Sequence, residues 1–162
     1  EIYTLSLHDA LPILDPRYYK NPRRDMVITA MAGPLANLLM GFLFLILAQI
    51  SMGYWIRGYY NGADVDTLYY MVLILQTIAS ISVSLAVFNL LPVPPLDGSR
   101  LVEYLLPRRW LMTYYRYARA INSIFLALLL FTDLCTNIIA FFTGHLLDGM
   151  YAITAFIPEL IV

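Results

Sequence analysis

Two long stretches of the chain, residues 26–50 and 67–96, contain no charged side chain. Each exceeds the roughly 20 apolar residues a helix needs to cross a ~30 Å hydrocarbon core. The pattern therefore predicts one membrane-spanning helix from about Met26 to Ser51 and a second from about Asp66 to Leu91. Pro92, Pro94 and Pro95 then remove backbone donors and predict an extended segment. Gly98, Ser99 and Arg100 lead into a short helix over 101–106, stopped by Pro107. A third spanning helix is expected from near Met112 to about Thr132, with Asp133 at or near the external interface. Residues 135–162, with His145 and Asp148 between apolar patches, read equally as an interfacial helix or a return pass. Residues 1–25 are polar and irregular, and Pro12, Pro16 and Pro22 oppose a long helix there. The expected fold class is an all-α membrane protein. It has about three transmembrane helices, a C-terminal interfacial or partial helix, and a proline break at the end of the second span.

Composition agrees with a lipid bilayer as the surrounding medium. Of 162 residues, 60% are hydrophobic and 13% charged, too little charge to cover a soluble surface. A net charge of −1 speaks against a nucleic-acid partner. The single cysteine, Cys135, excludes an internal disulfide and a cysteine-based zinc cluster. No internal repeat is evident, which counts against repeat-built transporter folds.

Placement of the charge sets the expected orientation. Arg17, Lys20, Arg23 and Arg24 precede the first apolar stretch, and Arg100, Arg108, Arg109, Arg116 and Arg119 follow the second. The intervening segment holds Arg57 beside Asp64 and Asp66, flanked by Trp55 and by Tyr54, Tyr59, Tyr60, Tyr69 and Tyr70. By the positive-inside rule both basic clusters are cytoplasmic, and the aromatic segment forms an external belt. Asp97 then sits near the cytoplasmic end of its helix.

Two polar constellations interrupt the apolar runs. Ala32-Gly33-Pro34-Leu35-Ala36-Asn37 lies inside the first helix, where the Gly-Pro pair is expected to kink the chain and Gly33 and Asn37 share a face. Its plain reading is close helix packing with an interhelical amide bond. The second runs from Asn89 through Pro92, Pro94 and Pro95 to Asp97-Gly98. Its plain reading is a helix ending at the interface with a solvated carboxylate. An ordinary helix end does not require the prolines, the amide and Asp-Gly together. Unsatisfied backbone and a carboxylate are costly in lipid and must face protein or a water-filled cavity, so this loop is the functional candidate.

Taken together, the two strings resemble the site-2 protease family of intramembrane zinc metalloproteases. The resemblance rests on Gly33-x-x-x-Asn37 and on Asn89-Leu90-Leu91-Pro92-Val93-Pro94-Pro95-Leu96-Asp97-Gly98-Ser99-Arg100, and extends over roughly residues 15–132. It implies that Asp97 is the third zinc ligand and that Asn89 is a catalytic polar group near the substrate or oxyanion. It further implies that Gly33 and Asn37 belong to the core helix packing. The commonest family string ends Asp-Gly-Gly-Arg, from which Ser99 departs mildly. The implied activity is hydrolysis of peptide bonds in transmembrane segments of substrate proteins, with Zn2+ as cofactor and the bilayer as the working medium. The prolines suit a second role, since an extended segment at Pro92, Pro94 and Pro95 could pair with an unwound substrate strand.

One departure from the family is large. Its other two zinc ligands and general base come from a His-Glu-x-x-His helix, in which histidines four apart share a face and the Glu activates metal-bound water. Neither His8 nor His145 stands in such a motif. The family pattern puts that helix upstream of Gly33, so residues 14–162 read as the C-terminal part of a protease core and as inactive alone. Residues 1–13 resemble a translated sequencing adapter and read as non-native. The competing readings are a transporter or channel subunit binding an ion at Asn89 and Asp97, and a proteolytically inactive scaffold of the same fold.

Overall fold

The structure, a computed structural model, describes residues 21–162. All regular structure among them is helical: α1 (Pro22–Tyr60), α2 (Asp66–Leu90), α3 (Gly98–Leu105), α4 (Arg108–Phe131), α5 (Leu134–Thr154) and α6 (Phe156–Ile161). Residues 1–13 and the bases Arg17 and Lys20 lie outside the described residues.

Helix α1 is longer than the apolar pattern predicts, at both ends. Pro22 falls in the first turn, where a missing N–H costs nothing. The Asp25 carboxylate accepts a hydrogen bond from the Asn21 amide at 3.1 Å and so satisfies one of the free N-terminal donors. At the other end the aromatic segment continues as helix. Trp55 stacks on Tyr59 at 5.9 Å and reaches Tyr69 of α2 at 6.1 Å, which holds the two helix ends together. The turn beyond needs a glycine, since Gly62 has φ +71°. Pro34 is fully buried within α1, and the helix runs on past it.

Helices α1 and α2 form an antiparallel hairpin whose contact face is built from small residues. A Cβ on Gly41 would stand 2.7 Å from Val83 Cγ2 and 3.2 Å from the Ala79 carbonyl oxygen, so a side chain there would force the helices apart. Leu45, Ala48, Ala79, Val83 and Ala86 have no exposed surface. Close approach of this kind is how helices associate where lipid removes the hydrophobic driving force. Farther along, the Ser51 hydroxyl meets Met71 Sδ at 3.5 Å.

The third span differs from the predicted one. By length and apolarity three stretches suit a membrane crossing: Arg24–Tyr60, Asp66–Leu90 and Leu134–Ile161. Helix α4, expected to cross, is not among them. Its first half carries Arg108, Arg109, Arg116 and Arg119, and Phe125, deep in its second half, still packs at 6.2 Å on Phe88 in the last turn of α2. The C-terminal segment has the length and apolarity for a crossing instead. Leu147 and Tyr151 face Leu73, Gln76 and Ser80 in the first half of α2, and Ile161 packs on Gly53 of α1. Helix α5 therefore runs antiparallel to α2, and α4 begins and ends at the Asp97 end of the hairpin. Asp133, expected at the opposite interface, lies at that same end. The basic first half of α4 accounts for this, because charge at mid-bilayer costs several kcal/mol while a basic helix is stable at the interface.

Candidate metal-ligand loop

The site is built by the chain reversal after α2. Pro92 cannot continue the ladder, and Leu91 leaves the helix with ψ 136°. Beyond it the backbone makes a series of tight turns instead of the predicted extended segment. The Val93 amide donates to the Leu91 carbonyl at 2.8 Å, Leu96 to Val93 at 2.9 Å, and Ser99 to Leu96 at 3.0 Å. Those donors are thus used inside the loop. Pro92 and Pro95 are exposed and Pro94 is half-buried.

Gly98 closes the reversal. A Cβ at this position would overlap the Leu90 and Leu91 carbonyl groups, which are backbone and cannot yield. Only glycine lets α3 start directly against the end of α2. That close start fixes the direction of the preceding side chain: the Asp97 carboxylate turns toward α1, and a Cβ built on Gly33 would lie 3.3 Å from Asp97 Oδ2. The carboxylate thus stands in the cleft between the first two spans, half-buried.

The remaining polar groups gather around it. Asn37, one turn beyond Gly33, is half-buried on the same face of α1. Gly41 lies opposite Ala79 and Val83, and Ser51 opposite Met71. Continuing this antiparallel register at equal rise brings Asn89 to the level of Gly33. Gly33 itself is exposed; the close helix approach comes at Gly41, and what Gly33 clears is the space beside a carboxylate.

A supporting layer lies one helix farther out, and nothing in the sequence pattern marks it. Ser99 is 4% exposed. It faces the Tyr114 hydroxyl of α4, which is buried and completes no hydrogen bond of good geometry among the described residues. Burial, and then the Glu103 charge, raise the Tyr114 pKa above the ordinary tyrosine value. Glu103 accepts hydrogen bonds from Arg100 Nη1 at 3.1 Å and from the Tyr115 hydroxyl at 2.9 Å, tying α3 to α4. Burial and the Glu103 bond likewise raise the Tyr115 pKa.

Three protein ligands are needed for catalytic zinc, and among the described residues Asp97 is a candidate for one. No group of three His, Cys, Asp or Glu side chains able to hold a metal exists among them. His145 is exposed on α5 with Nδ1 2.8 Å from the Phe141 carbonyl, and His8 lies outside the described residues. Asp97 has the chemistry of one hard oxygen donor, and the described residues alone do not fit a zinc ion.

A hairpin of two helices suited to span a membrane, with a carboxylate turned back beside the first of them, defines a helical membrane protein with a candidate acidic site. Residues 6–132 match the model of peptidase family M50. The chain belongs to this family, the site-2 proteases. Over 102 residues it is 33% identical to a Bacillus subtilis (strain 168) protein provisionally named zinc metalloprotease YwhC, covering 60% of this chain and 43% of that one. A similarly named Methanocaldococcus jannaschii protein, MJ0611, is 33% identical over 92 residues, covering 53% of this chain and 37% of its own. The chain thus spans less than half the length of the curated relatives it matches. No solved structure gives a significant match.

Proposed function

We propose that this chain is the part of an intramembrane zinc metalloprotease that delivers the carboxylate ligand, and that the protease cleaves transmembrane segments of other proteins. The observation that carries the reading is that the Asp97 carboxylate stands beside Gly33, with Oδ2 3.3 Å from where a Cβ on that glycine would lie. A carboxylate held in the cleft between two spanning helices is costly in lipid unless it has a partner, and a divalent metal is the partner the family implies. The other ligands belong to residues outside those described, in a His-Glu-x-x-His helix. Asn89, level with Gly33, and Asn37, one helical turn away, would bind the polar backbone of a substrate unwound there. The basic residues gathered at the Asp97 end favour a cytoplasmic position for the site.

The test is Asp97→Ala in the full-length protease, reconstituted with a reporter whose single transmembrane segment is cut. Cleavage and bound zinc, measured by elemental analysis, are both expected to disappear while membrane insertion persists. Retained zinc at wild-type stoichiometry would reject Asp97 as a ligand.

A further inference from the structure

Away from the Asp97 cleft, a cavity of about 380 Å³ opens between the start of α1, α3 and the start of α4. Met26 and Val27 line one side and Leu111 and Met112 another, so its walls are mainly apolar. The charged lining groups are Arg100, Glu103 and Arg108. Glu103 is matched by Arg100 at 3.1 Å, whereas Arg108 is exposed and has no ion-pair partner among the described residues. The cavity therefore combines greasy walls with one uncompensated positive charge.

Its depth is set by α1. Met26 precedes Gly33 by seven residues, about 10 Å along the helix, and follows directly on Arg24 and Asp25. That is the point at which α1 passes from charged to apolar sequence, the level of the headgroup–acyl boundary. We propose that the cavity holds an anionic phospholipid, with its phosphate beside Arg108 and the start of its acyl chains against Met26, Val27, Leu111 and Met112. A free phosphate would leave the apolar walls uncovered. An acidic peptide would bring unpaired backbone amides to the edge of the hydrocarbon.

The site is independent of the proteolytic reading and is tested without it. The full chain is placed in nanodiscs of equal parts phosphatidylglycerol and phosphatidylcholine, extracted, and its retained lipid weighed by native mass spectrometry. Phosphatidylglycerol should dominate, and Arg108→Gln should lower its ratio to phosphatidylcholine about fivefold, the weight of one basic side chain at a membrane surface. Arg119→Gln removes the same charge outside the cavity and should leave the ratio unchanged. Val27→Trp narrows the apolar part of the cavity without altering charge and should lower the retention of both lipids, with helicity by circular dichroism confirming that each variant is folded. Equal effects of the two arginine variants would overturn the site, as would wild-type retention by Val27→Trp, displacement of the lipid by inorganic phosphate, or equal retention of both lipids.

Discussion

Gly33→Ala separates the stability of α1 from the function of the cleft. Alanine exceeds glycine in helix propensity by about 1 kcal/mol, but Gly33 precedes Pro34, whose ring disfavours a Cβ on the preceding helical residue and offsets that gain. Gly33 is exposed, so no packed neighbour helix opposes the methyl group. Outside its own helix, the one atom it meets is Asp97 Oδ2, at 3.3 Å. Ordinary carbon–oxygen contacts begin a little beyond that distance, so the carboxylate must retreat by a few tenths of an ångström. Its retreat is limited from behind, since Gly98 fixes the loop against the Leu90 and Leu91 carbonyls. A metal–ligand bond tolerates only about 0.2 Å of error, and disturbing the groups that orient a ligand typically costs about 10–100-fold in metal affinity or activity.

Two measurements on the full-length protease therefore respond unequally. The midpoint of thermal unfolding in detergent should stay close to that of the wild type, while cleavage of a transmembrane reporter falls by about 10-fold or more and zinc is lost at lower chelator concentration. Gly33→Val should deepen the loss of activity, because its branched side chain allows the carboxylate less room. Gly33→Ala enzyme with wild-type cleavage and wild-type zinc retention would show that the glycine does not serve Asp97. A parallel fall of stability and activity would defeat the assignment differently, by making Gly33 a packing residue.

Gly98→Ala should be far more damaging to folding, because its methyl group meets backbone carbonyls and not a movable side chain. Overpacking of this kind costs about 1–3 kcal/mol or more, read as a lowered unfolding midpoint with loss of protection in residues 91–105 by hydrogen exchange. The Tyr115–Glu103 bond gives a pH dependence. The folded-state pKa of Tyr115 is raised above the ordinary tyrosine value of 10.0, so its stabilising contribution is complete below about pH 10 and is lost as pH climbs through the raised value. Hydrogen exchange at the α3–α4 junction should accelerate in that alkaline window beyond the rise common to all exposed amides, and Tyr115→Phe should reduce that excess, Tyr114 supplying the remainder.

Much of this architecture is written in local pattern, and its failures share one physical origin. The α1–α2 hairpin follows from two uncharged runs, and the helix break from Pro92, because both depend on what a residue does to its own segment. Where Asp97 points is only half legible: Asp-Gly marks a tight reversal, but the steric reason for Gly98 is the Leu90 carbonyl, visible only once the loop has folded back. The third span is misplaced by the pattern because both candidates are mixed. Helix α4 ends in the strongly apolar run 124–131, while the C-terminal stretch contains His145 and Asp148. Distribution decides between them. Arg108, Arg109, Arg116 and Arg119 all fall in the first half of α4 and anchor that half in the interface, leaving too few apolar residues to cross. In Leu134–Ile161 the ionisable groups are isolated among apolar turns, and mean hydropathy stays at 1.3 in its most apolar window. The position of α4 has a consequence for the site, since it brings Tyr114 over the buried Ser99, two residues from the carboxylate.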